Sequence, residues 1–477
     1  MKHGWIRLFV VIYLLVLAAP VTAQEATPTG PVYIVQEGDT LWNIAARFGV
    51  TVDELMLANN LGSDSILYSG AQLIIPGLEG ISGILTTQEV PFGETLASLS
   101  LRYQTPVEVL ARLNHITSPN EIYAGMSLVI PLTEDAAEPG PRLSLASGQS
   151  LLELAILNNS NPYTLALTNS MSSTAKAMPG AVLRGMGAGD PGPGALPPII
   201  AAVGITDFTQ GQTSVVRIDG STGISLSGSL MGHPLNFFEL AEGGYTALQG
   251  VHAMADPGVY PMTIQGSLPD GTSFGFTQSV RVYAGEFLYD VPLNVAAETI
   301  DPEVTGPENE LWANLTTPAT TPRQWEGIFS LPADPPYADC ITSRFGSRRS
   351  YNGSEYIYFH TGLDYCNGSG SSVYAAAPGK VVFANGLDVR GCTILIDHGW
   401  GVYTAYMHLQ DDDAGDRVTG ECSGIGILVN EGEQVESGQL IGITGGTGRV
   451  EGPHLHFELL VGGVQVNPLQ WLAQEYP

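Results

Sequence analysis

Three short strings towards the C-terminal end of the chain carry the residues most capable of chemistry. They are HTGLD (His360 to Asp364), YMHL (Tyr406 to Leu409) and PHLHFEL (Pro453 to Leu459). A catalytic zinc takes three protein ligands from histidine nitrogens or carboxylate oxygens and keeps a fourth position for water. The metal lowers the pKa of that water to about 7, which makes a nucleophile at neutral pH. The four histidines and one aspartate therefore suffice for a zinc site with two imidazoles left for proton transfer.

The spacing within these strings indicates how the chain can bring the side chains together. His454 and His456 are two residues apart in an apolar run that predicts a β-strand. Alternate residues of a strand point to the same face, so both imidazoles can enter one cleft. His360 and Asp364 flank Gly362, whose backbone can turn so that both side chains reach one ion.

Together with the upstream string TSRFGSRR (Thr342 to Arg349) and the longer run GQLIGITGGTGRVEGPHLHFEL (Gly438 to Leu459), these strings resemble the M23 family of peptidoglycan metalloendopeptidases, the lysostaphin-like group. The resemblance implies a β-rich catalytic domain over residues 337–473, with an antiparallel sheet and a groove whose floor holds Zn²⁺. It also implies a zinc metalloendopeptidase that hydrolyses stem-peptide or cross-bridge bonds of peptidoglycan. Which of these bonds is cut stays open.

The same resemblance implies a role for each residue of the strings. The implied zinc ligands are His360, Asp364 and His456. His408 and His454 are the implied catalytic pair. One of them would orient or deprotonate the attacking water, and the other would stabilise the oxyanion or pass a proton to the leaving amine. Glu458 can either hydrogen-bond to a zinc ligand and orient it, or face solvent.

A non-enzymatic cell-wall regulator is the alternative interpretation, either an activator of amidases or a glycan-binding scaffold. Some proteins that combine these domains have lost zinc ligands and act by contact alone. Here all three implied ligands and both further histidines are present. The complete set favours the enzyme.

A repeat of 55 residues dominates the first part of the chain. The repeated positions include Gly38, Gly93 and Gly148, and Asn59, Asn114 and Asn169. A fixed period predicts three copies of one small unit with two helices and a closing strand. The copies at residues 33–76 and 86–131 resemble LysM domains, which are small α+β modules that bind glycans containing N-acetylglucosamine. The copy at residues 142–186 lacks the LIIP ending and resembles a degenerate LysM unit.

The LysM resemblance implies a shallow glycan groove made by two loops of each unit. In the first unit these loops include Gly38 to Leu41 and Asn59 to Ser63, and in the second Gly93 to Leu96 and Asn114 to Ser118. The alternative is that the glycines and asparagines are only turn and cap residues.

The middle of the chain shows three further changes of pattern. Residues 187–198 are rich in proline and glycine and predict a linker. Residues 199–286 show short alternating runs separated by turns, which predict a β-sandwich and resemble an immunoglobulin-like domain. Residues 287–336 form a connecting segment. The predicted fold class is therefore multidomain.

Composition and the N-terminus indicate an exported protein. The 477 residues include 18 basic and 47 acidic side chains, giving a net charge of −29. This charge disfavours binding to nucleic acid or to an anionic membrane. Residues 1–23 predict a signal peptide, with an uncleaved anchor as the alternative and no other membrane segment. We therefore expect a secreted, cell-wall-associated protein whose partner is peptidoglycan, through its glycan and its stem peptides.

All four cysteines lie in the region that resembles the catalytic domain. An even number of cysteines in an exported protein predicts disulfides. Four cysteines allow three pairings, which sequence alone does not distinguish. We expect neighbours along the chain to pair, Cys340 with Cys366 and Cys392 with Cys422.

Overall fold

The structure is a computed structural model of the chain. It describes residues 30–78, 80–81, 83–132, 139–187, 189–190, 192–337, 339–411, 422 and 424–477. The predicted signal peptide, residues 1–23, lies outside the described residues. Within the part that the structure describes, no helix has the length and apolar character needed to cross a membrane.

The chain divides into two compact units, which are described separately. The first unit holds the described residues up to Thr87, together with residues 112–114 and 129–132. Its elements are β1 (Val32–Ile34), α1 (Leu41–Phe48), α2 (Val52–Ala58), β2 (Gln72–Ile74) and β3 (Ile84–Glu89). Strand β1 pairs antiparallel with β2 and parallel with β3. The elements from β1 to β2 form the first repeat, and β3 begins the second.

The second and third repeats show the same order of elements. The second contains β3, α3 (Leu96–Arg102), α4 (Val107–Leu113) and β4 (Ser127–Leu132). The third contains β5 (Arg142–Ser144), α5 (Leu151–Leu157), α6 (Pro162–Thr168) and β6 (Val182–Arg184). The residues that cap the first helix of each repeat recur with the same period: Thr40, Thr95 and Ser150. Each cap accepts a hydrogen bond from the backbone amide three residues on, which satisfies a donor that the helix leaves unpaired.

A repeated asparagine joins the second helix of each repeat to the closing strand. In the first repeat, the Asn59 side chain donates to the carbonyl oxygen of Ile74 and accepts from its amide, at 2.8 and 2.6 Å. The equivalent pairs are Asn114 with Val129 and Asn169 with Arg184. The 55-residue period therefore preserves one structural contact, and the repeated asparagines hold the units closed.

The second unit contains a middle domain of two sheets whose strands pair antiparallel, except for one short parallel pair at the edge of the five-stranded sheet. One sheet holds β7 (Ile200–Ile205), β9 (Thr213–Gly220), β12 (Phe238–Glu239) and β13 (Tyr245–Gly250). The other holds β8 (Phe208–Thr209), β10 (Ser225–Leu230), β11 (His233–Asn236), β14 (Gly258–Ser267) and β15 (Ser273–Tyr283). Alternate residues of β15 are buried, as expected for a strand with one face on a core.

The proline- and glycine-rich segment between the third repeat and the middle domain differs from the expected linker. Gly192, Pro193 and Leu196 are buried, and Leu196 belongs to the core of the middle domain. Composition indicated only that the segment lacks regular structure. Packing against neighbouring domains depends on partners that are distant in sequence, so composition could not predict it.

The C-terminal domain is built on one eight-stranded antiparallel sheet. Its strands are β16 (Ile341–Ser343), β19 (Leu363–Tyr365), β26 (Leu455–Val461), β23 (Val402–Leu409), β22 (Gly391–Asp397), β21 (Gly379–Leu387) and β24 (Gln434–Val435), in that spatial order, with β27 (Val464–Val466) beside β26. Two small pairs flank it, β17 (Arg348–Arg349) with β18 (Tyr358–Phe359) and β20 (Ser372–Tyr374) with β25 (Leu440–Ile443). Helix α8 (Pro468–Trp471) follows. The expected antiparallel sheet is confirmed.

The connecting segment and two disulfides brace this sheet. Helix α7 (Pro302–Thr316) places Trp312 against the sheet in a cluster that includes Leu395 and Tyr403. The disulfides join Cys340 to Cys366 and Cys392 to Cys422, so the expected pairing of neighbours is confirmed. The first ties β16 to the end of β19, two residues beyond Asp364.

Candidate functional site

Two neighbouring strands bring the implied metal ligands together. Asp364 on β19 lies directly opposite His456 on β26, and such cross-strand neighbours share one face of a sheet. His360 precedes β19 by three residues. Its Nε2 lies 3.0 Å from Asp364 Oδ1 and 3.0 Å from His456 Nδ1, and the latter two atoms are 2.7 Å apart. Three ligand atoms therefore converge on one point.

The contacts behind the two imidazoles show that these converging atoms need a cation between them. His360 Nδ1 lies 3.0 Å from the carbonyl oxygen of Arg344, which can only accept, so Nδ1 carries the proton. His456 Nε2 lies 3.3 Å from Glu458 Oε1, another acceptor. Neutral rings held in this way turn bare lone pairs towards Asp364. Either a metal ion or an extra proton must compensate, and the donor set fits a metal.

Burial and charge act in opposite directions on these groups. Burial lowers the pKa of His360 to about 4. Burial alone would raise the pKa of Asp364, but the adjacent imidazoles hold it well below its usual range. For His456, burial favours the neutral ring, yet hydrogen bonds to Asp364 and Glu458 raise its pKa to about 9. In the absence of a metal, His456 would carry the positive charge that the two carboxylates require.

An arginine that carried no assigned role in the sequence orients the aspartate. Arg349 Nη2 donates to Asp364 Oδ2 at 3.2 Å, which leaves Oδ1 facing the two imidazoles. Arg349 also contacts Ser343 Oγ at 3.0 Å and Asp290 Oδ2 at 3.1 Å. Arg349 and Ser343 lie in the TSRFGSRR string, whose likeness could have pointed to them. Asp290 lies in the connecting segment, where the sequence shows no motif.

His408 lies at the end of β23 in an unusual conformation. Its φ of 59° is in the left-handed region, beside a register shift between β22 and β23. Nδ1 lies 2.8 Å from the carbonyl oxygen of Thr447 and donates to it, which leaves Nε2 as a proton acceptor. Burial, together with the neighbouring histidines, lowers the pKa of His408 well below its usual range. The ring is therefore neutral at pH 7.

His454 completes the group on the more open side. Its Nδ1 donates to the carbonyl oxygen of Gly452 at 2.8 Å, and its Nε2 lies 3.4 Å from Asp364 Oδ1. The ring centroids of His408 and His454 are 5.0 Å apart. The side chain of His454 is 21% exposed, whereas the three implied ligands are almost fully buried. All five residues singled out from the sequence therefore meet at one place.

Asp364, His408, His454 and His456 line a groove of about 990 Å³, and His360 is buried behind them. The loop from Arg449 to His454 forms one wall. The connecting segment contributes Val291 and Leu293, and the middle domain contributes His252 and Met254. The groove is therefore shaped by parts of the chain outside the catalytic sheet.

Known protein families share two kinds of domain with this chain. Residues 358–468 match the model described as Peptidase family M23, and residues 33–76 and 89–131 match that of the LysM domain. The chain contains an M23 peptidase domain and two LysM domains. All five residues of the site fall inside the M23 domain. The two LysM domains are the first and second repeats.

Curated relatives include two proteins of Vibrio cholerae serotype O1. Peptidoglycan DD-endopeptidase ShyA is 36% identical over 130 residues, which cover 27% of this chain and 27% of the relative. Peptidoglycan DD-endopeptidase ShyC is 38% identical over 128 residues, 27% of this chain and 26% of the relative. The chain thus spans about a quarter of the length of these relatives.

Solved structures with some likeness include an M23 peptidase from Pseudomonas aeruginosa and a zinc-containing peptidase from Vibrio cholerae. The first is 20% identical with a TM-score of 0.41, covering 56% of this chain and 96% of that one. The second is 15% identical with a TM-score of 0.28, covering 94% and 99%. At these scores the likeness carries no conclusion about the present chain.

Proposed function

We propose that this chain is a zinc metalloendopeptidase that binds peptidoglycan and hydrolyses its stem-peptide or cross-bridge bonds. The observation that carries the proposal is the convergence of His360 Nε2, Asp364 Oδ1 and His456 Nδ1 on the floor of a groove within an M23 domain. Two imidazole nitrogens and one carboxylate oxygen form a donor set typical of catalytic zinc. Both Vibrio cholerae relatives are named DD-endopeptidases, which favours a scissile bond between D-amino acids.

The protein side of the proposed mechanism rests on His408 and His454. Bound zinc would polarise the scissile carbonyl and lower the pKa of water to about 7. Both imidazoles hold an Nδ1 proton on a backbone carbonyl. Nε2 of His408 can therefore accept a proton, while Nε2 of His454 lies 3.4 Å from Asp364 Oδ1. Between them the two rings can take up a proton and return it to the amine released from a cleaved peptide bond. Arg349 keeps Asp364 oriented throughout.

The other domains would keep this site at its polymeric substrate. LysM units that hold glycan containing N-acetylglucosamine raise the local concentration of stem peptides, so a modest affinity suffices. We assign residues 199–286 to an immunoglobulin-like sandwich that helps to shape the groove. Secretion under the signal peptide of residues 1–23 would deliver the enzyme to the cell wall. The presence of all five site residues supports an enzyme over a non-enzymatic regulator.

Digestion of purified peptidoglycan, with the soluble products identified by mass spectrometry, tests this proposal. New amine ends at one defined peptide bond are expected with the native chain. Thr361→Ala alters a hydroxyl that lies 3.4 Å from His456 Nε2 without removing a ligand, and it serves as the matched control for His360→Ala. Release of sugar ends without new amine ends would contradict a peptidase.

A further inference from the structure

The same loop is exposed in the first LysM unit and buried in the second. Gly38 and Gly93 are equivalent positions with positive φ angles of 84° and 94°. Gly38 is exposed, and a Cβ placed on it would have no atom within 4 Å. Gly93 is buried, and a Cβ there would lie 2.3 Å from Pro193 Cβ. The second loop is therefore covered by the segment that follows the third repeat.

Hydrogen bonds join the backbone of this loop to the Gln278 side chain and to the covering segment. The amide of Gly93 donates to Gln278 Oε1 at 2.7 Å, and Gln278 Nε2 donates to the carbonyl oxygen of Pro91 at 3.2 Å. The amide of Ala195 donates to the carbonyl oxygen of Gly93 at 2.9 Å. Gln278 lies on β15 of the middle domain. Both polar backbone atoms of Gly93 are therefore already bonded within the chain.

Apolar packing continues the same contact. Phe92 is 4% exposed and belongs to the core cluster of the middle domain. Its ring lies 5.5 Å from that of Phe276, edge to face. The amide of Ala124, near the end of the second LysM domain, donates to the carbonyl oxygen of Ser279 at 2.9 Å. The second LysM unit thus shares a core with the middle domain.

A buried ion pair extends this contact to the neighbouring segment. Glu94 is 1% exposed and binds Arg102, which also donates to the carbonyl oxygen of Gly192 at 2.8 Å. The equivalent Asp39 of the first repeat pairs with the equivalent Arg47 at 3.4 Å and also accepts from the hydroxyl of Tyr33 at 2.7 Å. The longer glutamate thus holds the arginine that reaches across to the covering segment. In the second repeat it is Arg102 that contacts the covering segment, and Glu94 holds that arginine from within the repeat.

We propose that the second LysM unit is an internal docking module fixed to the middle domain through residues 91–96, and that between the two LysM domains only the first uses this loop to bind glycan. The assignment of glycan to the first unit rests on the proposed function; the docking does not. A loop whose amide, carbonyl and flanking aromatic ring are occupied has none of them to offer a sugar. Binding there would first require separation of the two domains.

Hydrogen–deuterium exchange of the full chain, read by mass spectrometry, tests both parts. Without sugar, peptides covering residues 90–96 should exchange slowly, while those covering residues 35–41 exchange fast. An oligomer of N-acetylglucosamine should slow exchange in residues 35–41 and leave residues 90–96 unchanged. Fast exchange of residues 90–96 without sugar, or sugar protection there, would overturn the docking. Slow exchange of residues 90–96 with no sugar protection at residues 35–41 would overturn the glycan assignment alone.

A pair of variants tests the cause of the protection. Gln278→Ala removes the acceptor of the Gly93 amide and should make exchange in residues 90–96 about tenfold faster, the effect of losing one buried hydrogen bond. Gln265→Ala changes an exposed glutamine on the adjacent strand β14 and should leave that exchange unchanged. Equal exchange in both variants would show that Gln278 does not hold the loop.

Discussion

At the scale of single residues, the hydrogen-bond partner of one nitrogen in each imidazole determines whether the other nitrogen can act as a ligand or a proton acceptor. The atoms behind the four histidines are the carbonyl oxygens of Arg344, Thr447 and Gly452 and the carboxylate of Glu458. Sequence strings predicted which residues would meet, because ligands and spacing are local properties. They could not predict the tautomers, because Arg344 and Thr447 are distant in sequence from the rings that they orient.

Arg349 should support metal binding without being a ligand. Replacement of Arg349 by alanine frees Asp364 Oδ2 and should weaken zinc affinity by about 10- to 100-fold, as expected for a group behind a ligand. Competition with a chromophoric chelator measures the affinity. Arg348→Ala is the matched control, because Arg348 points instead to the carbonyl oxygen of Ala253. Equal affinities in the two variants would contradict the role of Arg349.

His408 should matter for turnover and not for metal content. Its alanine variant loses a neutral proton acceptor and should reduce kcat by about 10²- to 10⁴-fold, the usual contribution of a general acid or base. Metal analysis of the same sample should still find zinc, since His360, Asp364 and His456 are unchanged. Loss of zinc together with kcat would instead make His408 a ligand.

At the scale of elements, the sheet places the site by strand register. The apolar run after His454 predicted β26, and its pairing with β19 places Asp364 opposite His456. That pairing joins strands about 90 residues apart, so the alternation within one strand could predict its face but not its partner. The helix α7 was not predicted, because Pro307 and its polar composition give no clear apolar stripe.

Helix α7 should stabilise the catalytic sheet through Trp312. This side chain is 3% exposed. The guanidinium carbon of Arg390 lies over the Trp312 ring, 4.6 Å from the ring centroid. Trp312→Ala should destabilise the domain by about 3–5 kcal/mol, because the cavity cannot close fully. Leu311→Ala, at a position that is 40% exposed, should change stability by less than about 0.5 kcal/mol. Urea unfolding followed by circular dichroism compares them; equal midpoints would contradict the packing role.

At the scale of the whole molecule, the order of the two LysM domains and the M23 domain was predictable, and the contacts between regions were not. The repeat period and the change from helical to alternating patterns indicated the successive regions. The burial of residues 192–194, 196 and 197 and the contribution of Met254 to the groove arise from contacts between regions of the second unit. No local pattern encodes such contacts, because each requires a complementary surface elsewhere.

Removal of the metal should destabilise the catalytic domain. Without a cation, the acceptor atoms of His360, Asp364 and His456 must be compensated by a proton. A metal present at a hundredfold excess over its dissociation constant adds about 2.7 kcal/mol to stability. Calorimetry should therefore show one unfolding transition whose midpoint temperature falls when the metal is chelated and is restored when zinc is added. An unchanged transition would show that the three residues hold no metal in solution.

The most direct test of the central claim is a zinc titration of activity. Chelated, metal-free protein is mixed with cross-linked peptidoglycan, and the initial rate of release of new peptide amines is measured as zinc is added. We expect no release without metal, a linear rise up to one zinc per chain and then a plateau, with no rise for His360→Ala. Full activity of the metal-free protein, or an equal rise in the variant, would contradict the assignment of His360, Asp364 and His456 as the catalytic metal site.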